Sequence, residues 1–191
     1  MYKNSILNLL TVTKKSRFII MNTNSVKFFN AKNDEKYPES SAIIIAAWHL
    51  SNSENIGKII RLAHNLGAQE VLFVRESENH RESKIKKTAG FSYDQMKWRF
   101  ISENDFIELL GTGFQLTIVE TCDGATNIYR EKLPPKTILL AGSESHGLPE
   151  NIINRADKSV YIPMPGGCKS LNISNALSVA AFEWYRQQTC T

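Results

Sequence analysis

From residue 42 onward the sequence alternates between short apolar runs of strand length and stretches with helical spacing. The first run, AIIIAAW at 42–48, contains no polar residue, which is typical of a strand buried on both faces of a sheet. Further strands are predicted at 70–75, 97–101, 114–120, 137–141 and 159–162. Because these runs alternate with helices, the pattern predicts an α/β fold with a mostly parallel sheet and helices on both faces.

The first 40 residues differ from the rest of the chain in composition and charge. They hold seven Lys or Arg against three Asp or Glu, whereas residues 41–191 hold sixteen of each. We therefore expect a basic N-terminal extension at 1–40 and one domain at 41–191. The extension is equally compatible with a solvated, partly disordered segment and with an arm that contacts RNA phosphates. Its cations are Lys3, Lys14, Lys15, Arg17, Lys27, Lys32 and Lys36.

The three cysteines are too widely spaced for a disulfide framework or for paired metal ligands. Cys122, Cys168 and Cys190 form no CxxC pair, which favours a reducing compartment. The apolar patch at 6–12 is interrupted by Asn8 and is followed by cations, so we expect neither a leader peptide nor a membrane span. The expected location is the cytoplasm.

The fingerprints of nucleotide and metal enzymes are absent from the sequence. Gly111 and Gly113 precede a predicted strand, whereas a dinucleotide loop follows one. Gly142 and Gly147 have the spacing of a triphosphate-binding loop, but Leu148 stands where lysine is required. The four histidines lack the spacing of metal ligands, so no metal is expected.

Two segments with polar loops follow predicted strands. The first, NSENIGKIIRLAHNLGA at 52–68, places Gly57, Arg61 and His64 on the helix side away from its apolar stripe. Arg61 by itself is also compatible with a solvated helix arginine. The second, TILLAGSESHGLPENI at 137–152, sets Glu144 between two glycines at a strand end, where α/β sheets bind ligands. A plain tight turn explains those glycines equally well.

A third segment, YIPMPGGCKSLNISNALSVAAFEWYRQ at 161–187, runs from a strand through prolines and glycines into a last helix. Asn172 or Ser174 is expected to cap that helix. In order and wording the three segments resemble the motifs of the SpoU (TrmH) family of the SPOUT superfamily, over residues 42–188. The matching residues are Asn55, Gly57 and Arg61 in the first segment, Gly142, Glu144, Gly147 and Leu148 in the second, and IPM with SLNISNA in the third.

The resemblance implies a fold and a cofactor that residue patterns alone do not predict. Relatives thread the C-terminal part of a parallel sheet into a deep trefoil knot, bind S-adenosylmethionine in the knot loops and work as homodimers. No metal takes part. Carried over by motif, the cofactor pocket includes Gly142, Ile162, Met164, Ser170 and Leu171, with Glu120 and Thr121 as further wall residues.

The resemblance also implies an activity, the methylation of a ribose 2′-hydroxyl in tRNA or rRNA. Arg61 is the implied catalytic residue, and Asn55, Glu144 and Asn172 are expected to hold it and the ribose. Because guanidinium is a very poor base in proteins, we interpret Arg61 as a clamp for phosphate and for developing alkoxide charge. The proton acceptor stays open, as do two alternatives: methylation of a base, and an RNA-binding module without catalysis.

A basic surface with aromatic residues is a further candidate for RNA contact. Its members are Arg81, Lys84, Lys86, Lys87, Lys97 and Arg99, interleaved with Phe91, Tyr93 and Trp98. We expect these aromatics to be core residues before stacking platforms. The GLP of the second segment and the SNALSVAAFEWYRQ of the third resemble the corresponding strings of relatives that act on a tRNA wobble ribose, although the extension at 1–40 does not fit those shorter chains.

Overall fold

The computed structural model describes residues 25–30, 32, 36–75, 80–143 and 145–190. The chain divides into two compact units, residues 1–35 and residues 36–191. The first contains the helix α1, Ser25–Asn30, in which the rings of Phe28 and Phe29 meet edge to face. The cations of the expected N-terminal extension that precede residue 25 lie outside the described residues.

The second unit is built on a seven-stranded sheet in which every pair of neighbouring strands is parallel. The strands are β1 (Ala42–Trp48), β2 (Glu70–Val74), β3 (Trp98–Ile101), β4 (Gln115–Val119), β5 (Thr126–Asn127), β6 (Lys136–Ala141) and β7 (Lys158–Tyr161). Their order is β3-β2-β1-β6-β4-β7-β5. The six predicted strands are confirmed to within a residue or two at their ends. The two-residue β5 is too short to show an apolar pattern.

In the described part of the chain six helices follow α1. They are α2 (Ser53–Leu66), α3 (Glu82–Ala89), α4 (Ser92–Gln95), α5 (Glu103–Leu109), α6 (Glu150–Ile153) and α7 (Ile173–Thr189). The helix α2 ends at its cap residue Gly67, which has a φ of 75° and donates its N–H to the last turn. The start of α7 is confirmed: the side chain of Asn172 accepts a hydrogen bond from the Ser174 amide.

Alternate residues of β1 face two separate apolar cores. Ile43 and Ile45 point to the face covered by α2 and α7, while Ile44 and Ala46 point to the face that carries Phe106 of α5. All four are at least 94% buried. Because both faces are covered, the central strand β1 contains no polar residue, as the sequence pattern predicted.

The second unit also includes the segment that leads into β1. The Tyr37 ring packs edge to face on Trp184 of α7, and its hydroxyl donates to the Gly67 carbonyl oxygen at 2.5 Å. Among the described residues no helix has the length and hydropathy needed to span a bilayer. Since all seven strands run the same way, their carboxyl ends share one edge of the sheet. The order along the sheet reverses beside β1, which is where such sheets leave a crevice for ligands.

Candidate functional site

Three predicted pocket residues follow the carboxyl ends of neighbouring strands. Val119, the last residue of β4, pairs with Ala141 of β6 and with Val160 of β7. The Glu120 amide continues this ladder by donating to the Val160 carbonyl oxygen at 3.0 Å. Glu120 and Gly142 are therefore brought together at one edge, and Ile162 follows the end of β7 there, 8% exposed.

Gly142 lies where no side chain fits. A Cβ built on it would come within 2.5 Å of the Gly147 carbonyl carbon and within 2.6 Å of Glu120 Oε2. Gly147 faces the same carboxylate, and its φ of 65° favours glycine. Oε1 of Glu120 accepts a hydrogen bond from the Thr121 amide at 2.9 Å. The two glycines thus form a backbone cradle below the Glu120 carboxylate, and Thr121 is held beside it.

The loop after β6 is closed by its own backbone. Ser143 and Gly147 exchange two hydrogen bonds, each 3.1 Å long. The predicted site residue Glu144 lies within this loop, outside the described residues. Leu148 follows the loop and is buried in the core on the α5 face. Because Ser143 and Gly147 are paired, the two ends of the loop have a defined position at the strand edge.

The segment between β7 and α7 contains the other predicted pocket residues. The carbonyl oxygen of Met164 accepts a hydrogen bond from Lys169 Nζ at 2.9 Å, which ties the two sides of the loop together. Ser170 and Leu171 are exposed, Leu171 by 41%. No sequence pattern predicts the contact between Lys169 and Met164, since a lysine in a loop is usually solvated.

Two of the predicted catalytic residues contact each other. Asn172 Nδ2 donates to Oδ1 of the fully buried Asn55 at 3.2 Å, linking the start of α7 to the first turn of α2. Oδ1 of Asn172 accepts from the amide of Ser174 and from its hydroxyl, at 3.0 and 2.6 Å. The Asn172 amide is therefore engaged at both ends, as a helix cap and as a donor to Asn55.

Arg61 lies apart from this pair of asparagines. It is six residues beyond Asn55, about 9 Å along the axis of α2, and its side chain is exposed. Among the described residues it has no hydrogen-bond or ion-pair partner. The expected contact with Glu144 involves a residue outside that range and stays a prediction.

The predicted common face of Gly57, Arg61 and His64 is only partly correct. Gly57 is buried against α3, where a Cβ would come within 2.7 Å of the Ile85 carbonyl oxygen. The helical wheel of α2 could not show this, because it contains no information about a neighbouring helix. Gly57 therefore has a packing role, and only Arg61 is freely exposed.

The three aromatic residues of the predicted basic surface have different environments. Trp98 Nε1 donates to the Tyr93 carbonyl oxygen at 3.0 Å, and both rings pack on the α2 core, as expected. Phe91 is 78% exposed, so its expected place in the core is wrong. The reason is the turn at Gly90, whose φ of 58° ends α3 and turns the chain outward.

Several cations of that surface are neutralised by carboxylates. Lys97 and Arg99 both contact Glu70, at 3.3 and 2.8 Å, and Lys86 contacts Glu82 at 2.9 Å. The Glu82 carboxylate lies beside Lys86 and Tyr93, and hydrogen bonds from both lower its pKa. The described residues contain no cluster of His, Cys, Asp and Glu that could hold a metal ion.

Comparison with known proteins agrees with this arrangement. Residues 42–182 match the profile of the SpoU rRNA Methylase family. A tRNA (guanosine(18)-2'-O)-methyltransferase of Aquifex aeolicus is 28% identical over 152 residues, which cover 76% of this chain and 70% of that protein.

Two solved structures are similar in fold. The first is described as giving structural insights into the 2-OH methylation of C/U34 on tRNA. It is 28% identical in sequence, with a TM-score of 0.70. The match covers 80% of this chain and 99% of that chain. The SpoU methyltransferase AviRb of Streptomyces viridochromogenes, in complex with the cofactor AdoMet, is 25% identical with a TM-score of 0.70. That match covers 77% of this chain but only 60% of AviRb.

The family profile runs from β1 into α7, and it includes the first two polar segments and residues 161–182 of the third. The chain belongs to the SpoU rRNA Methylase family.

Proposed function

We propose that this chain is an S-adenosylmethionine-dependent methyltransferase that modifies a ribose 2′-hydroxyl of tRNA or rRNA. The observation that carries the proposal is the cradle of Gly142 and Gly147 beside the Glu120 carboxylate, at the strand edge that also leads to Ile162. The cradle occurs in a chain of the SpoU rRNA Methylase family, and a relative of this chain is named a tRNA (guanosine(18)-2'-O)-methyltransferase.

The cradle suits a cofactor with an adenine ring, a ribose and a sulfonium. Because Gly142 and Gly147 lack side chains, the backbone at these two positions lies directly against the Glu120 carboxylate, which groups polar atoms at the strand edge where such sheets bind ligands. Ile162 and Leu171 offer apolar surface for the adenine, and Met164 and Ser170 supply the loop around it. The Glu120 carboxylate and the Thr121 hydroxyl are suited to accept hydrogen bonds from the cofactor's ribose hydroxyls. Bound S-adenosylmethionine supplies the electrophilic methyl group.

The protein's own contribution to the reaction is to hold the target ribose and stabilise charge. Arg61 is exposed and has no partner in the described part of the chain, so its guanidinium is available to a phosphate of the RNA. It also stabilises negative charge as the 2′-hydroxyl loses its proton. Asn55 and Asn172 keep α2 and α7 in register through their hydrogen bond, which positions the ribose between Arg61 and the loops. Glu144 completes this set.

We further propose a trefoil knot and a homodimer. Support for the knot is that α7, at the C-terminal end, packs on α2 and next to β6, while the loops after β6 and β7 lie at the same strand edge. Support for the dimer is the exposed position of Arg61, far along α2 from Asn55. A second copy that brings its own Arg61 to the loops would complete each site.

Methyl transfer tests the proposal directly. The purified chain is incubated with labelled S-adenosylmethionine and with tRNA and rRNA that lack modifications, and the product is digested and analysed by mass. A 2′-O-methylated nucleoside is expected in one of the two RNAs. Label on a base instead indicates a base-modifying relative, whereas RNA binding without label indicates a module without catalysis. Either result contradicts the proposal.

Arg61→Ala tests the role of the guanidinium. Arg155→Ala is the matched control, because Arg155 is also exposed but follows α6, at the amino end of β7. We expect Arg61→Ala to abolish methyl transfer while binding of S-adenosylmethionine in calorimetry stays unchanged, and Arg155→Ala to keep both. Normal turnover in Arg61→Ala contradicts its catalytic assignment.

A further inference from the structure

Phe91 is the large apolar side chain with the highest exposure in the described part of the chain, at 78%. Single exposed apolar residues are common on protein surfaces and need no explanation by themselves. The position of Phe91 is unusual because its ring meets the imidazole of His64, with 5.9 Å between the ring centroids. His64 is on α2, one helical turn beyond Arg61, so the two side chains are neighbours on the helix surface.

The rings of this pair are held in place from below. His64 Nδ1 and the hydroxyl of Ser92 share a hydrogen bond of 3.0 Å, and Ser92 is 95% buried. The Gly90 turn directs Phe91 outward immediately before α4. Since the imidazole has little freedom, the outer face of Phe91 is presented to solvent in a defined position. Order of this kind lowers the entropy cost of binding a flat partner.

The surface around Phe91 is positively charged. The helices α2 and α3 run side by side in the same direction, because Glu54 meets Lys84 near their starts and His64 meets Phe91 near their ends. Along this surface Lys58, Arg61 and Lys87 are exposed and have no ion-pair partner within the described ranges. The two glutamates of the same surface, Glu54 and Glu82, each contact a lysine. The Asp94 carboxylate on α4 adds one negative charge, and the net charge of this surface stays positive.

We propose that Phe91, backed by His64, is a stacking platform for an unpaired base of the RNA, next to the nucleotide that Arg61 holds. An exposed ring suits a base because every base has a flat apolar face, and the three unpaired cations suit the phosphates on either side. The same surface of a second copy is a poorer occupant, since two like-charged surfaces would meet. This inference rests on the proposed function and adds a position that selects single-stranded RNA.

Substitutions at Phe91 test the platform through RNA binding. Phe91→Ala removes the ring, Phe91→Leu keeps an apolar side chain without a ring, and Phe91→Tyr keeps the ring. The probe is a short single-stranded RNA of mixed sequence, compared with a duplex of the same length. We expect Ala and Leu to weaken binding of the single strand by roughly 5- to 100-fold and Tyr to retain wild-type affinity. Duplex binding is expected to change little.

Two controls separate stacking from other effects. S-adenosylmethionine affinity, measured by calorimetry, is expected to be unchanged in all three variants, because Phe91 lies beside His64 in the last turn of α2, the end of that helix away from the strand edge that carries the cradle. Equal affinity of Leu and Tyr for the single strand would overturn stacking. A third outcome is that Phe91→Ala binds RNA with unchanged affinity but sediments as a smaller species than the wild-type chain. This would identify Phe91 as a contact between copies of this chain and overturn the platform.

The outcome for the platform is distinct from the outcome for the activity. If the wild-type chain binds single-stranded RNA without transferring methyl groups, the proposed activity fails while the three variants still measure the platform. If the wild-type chain methylates RNA and Phe91→Ala has the same KM for RNA, the platform fails and the activity stands. If the wild-type chain binds no RNA, the platform is overturned.

Discussion

Replacing Asn172 by alanine removes two interactions at once. The first is the N-terminal cap of α7, whose loss typically costs about 1 kcal/mol. The second is the donor to Oδ1 of the fully buried Asn55, and a buried acceptor that loses its donor costs about 1–3 kcal/mol. We therefore expect Asn172→Ala to lower the free energy of unfolding by about 2–4 kcal/mol.

Two variants separate these contributions. Asn52→Ala removes only a cap, because exposed Asn52 begins α2 by accepting a hydrogen bond from the Glu54 amide at 2.8 Å. Its expected cost is about 1 kcal/mol. Asn172→Ser keeps a side chain that caps well but is too short to reach Asn55, so about 1–3 kcal/mol is expected from the lost bond alone.

Urea unfolding measures all three variants. Tryptophan fluorescence, to which the buried Trp48 and Trp184 and the partly buried Trp98 contribute, is recorded together with far-UV circular dichroism, since coincident transitions justify a two-state analysis. If Asn172→Ala is no less stable than Asn52→Ala, the bond to Asn55 does not stabilise the fold and the reasoning is wrong. Wild-type stability in Asn172→Ser leads to the same conclusion.

Three further predictions concern glycine packing and pH. Gly57→Ala should lower the Tm in thermal melts, because the new Cβ would lie 2.7 Å from atoms of α3 and such overpacking costs about 1–3 kcal/mol. This cost exceeds the gain of about 1 kcal/mol in helix propensity. A higher Tm would contradict this prediction. Gly142→Ala should weaken S-adenosylmethionine binding in calorimetry, since its Cβ would push Gly147 and Glu120 apart; unchanged affinity in a folded variant would remove Gly142 from the pocket. Hydrogen bonding to Arg186 lowers the pKa of Glu183, so this carboxylate stabilises the fold above its ordinary pKa of 4.5, and the stabilisation is lost as pH falls through the lower folded value. Glu183→Gln should therefore make the free energy of unfolding less dependent on pH in that acidic window. If its pH dependence is the same as in the wild-type chain, the lowered pKa of Glu183 does not contribute to stability.

The sheet was predictable because burial on both faces leaves a direct record in the sequence. The run at 42–48 contains only apolar residues since each of its side chains meets a helix layer. The cap at Asn172 was predictable for a similar reason, because capping depends on residues two positions apart. The family was predictable because its three motifs are local strings of residues.

Contacts between distant segments were not predictable from local patterns. The helical wheel placed Gly57 beside Arg61, but α3 covers one and leaves the other exposed. The same limit explains the wrong expectation for Phe91, whose exposure depends on the Gly90 turn and on the position of α2. A hydropathy pattern records how apolar a residue is, whereas its exposure depends on what packs against it.

The sequence by itself determined six of the strands in the described part of the chain, the segments that carry polar loops and the family. These depend on periodicity and on short motifs, which a linear chain displays in full. Only the tertiary structure decided that Asn172 meets Asn55 across 117 positions, and that Gly142 and Gly147 lie against Glu120. The physical reason is that parallel pairing aligns the carboxyl ends of strands that are distant in sequence, and no local pattern records that alignment.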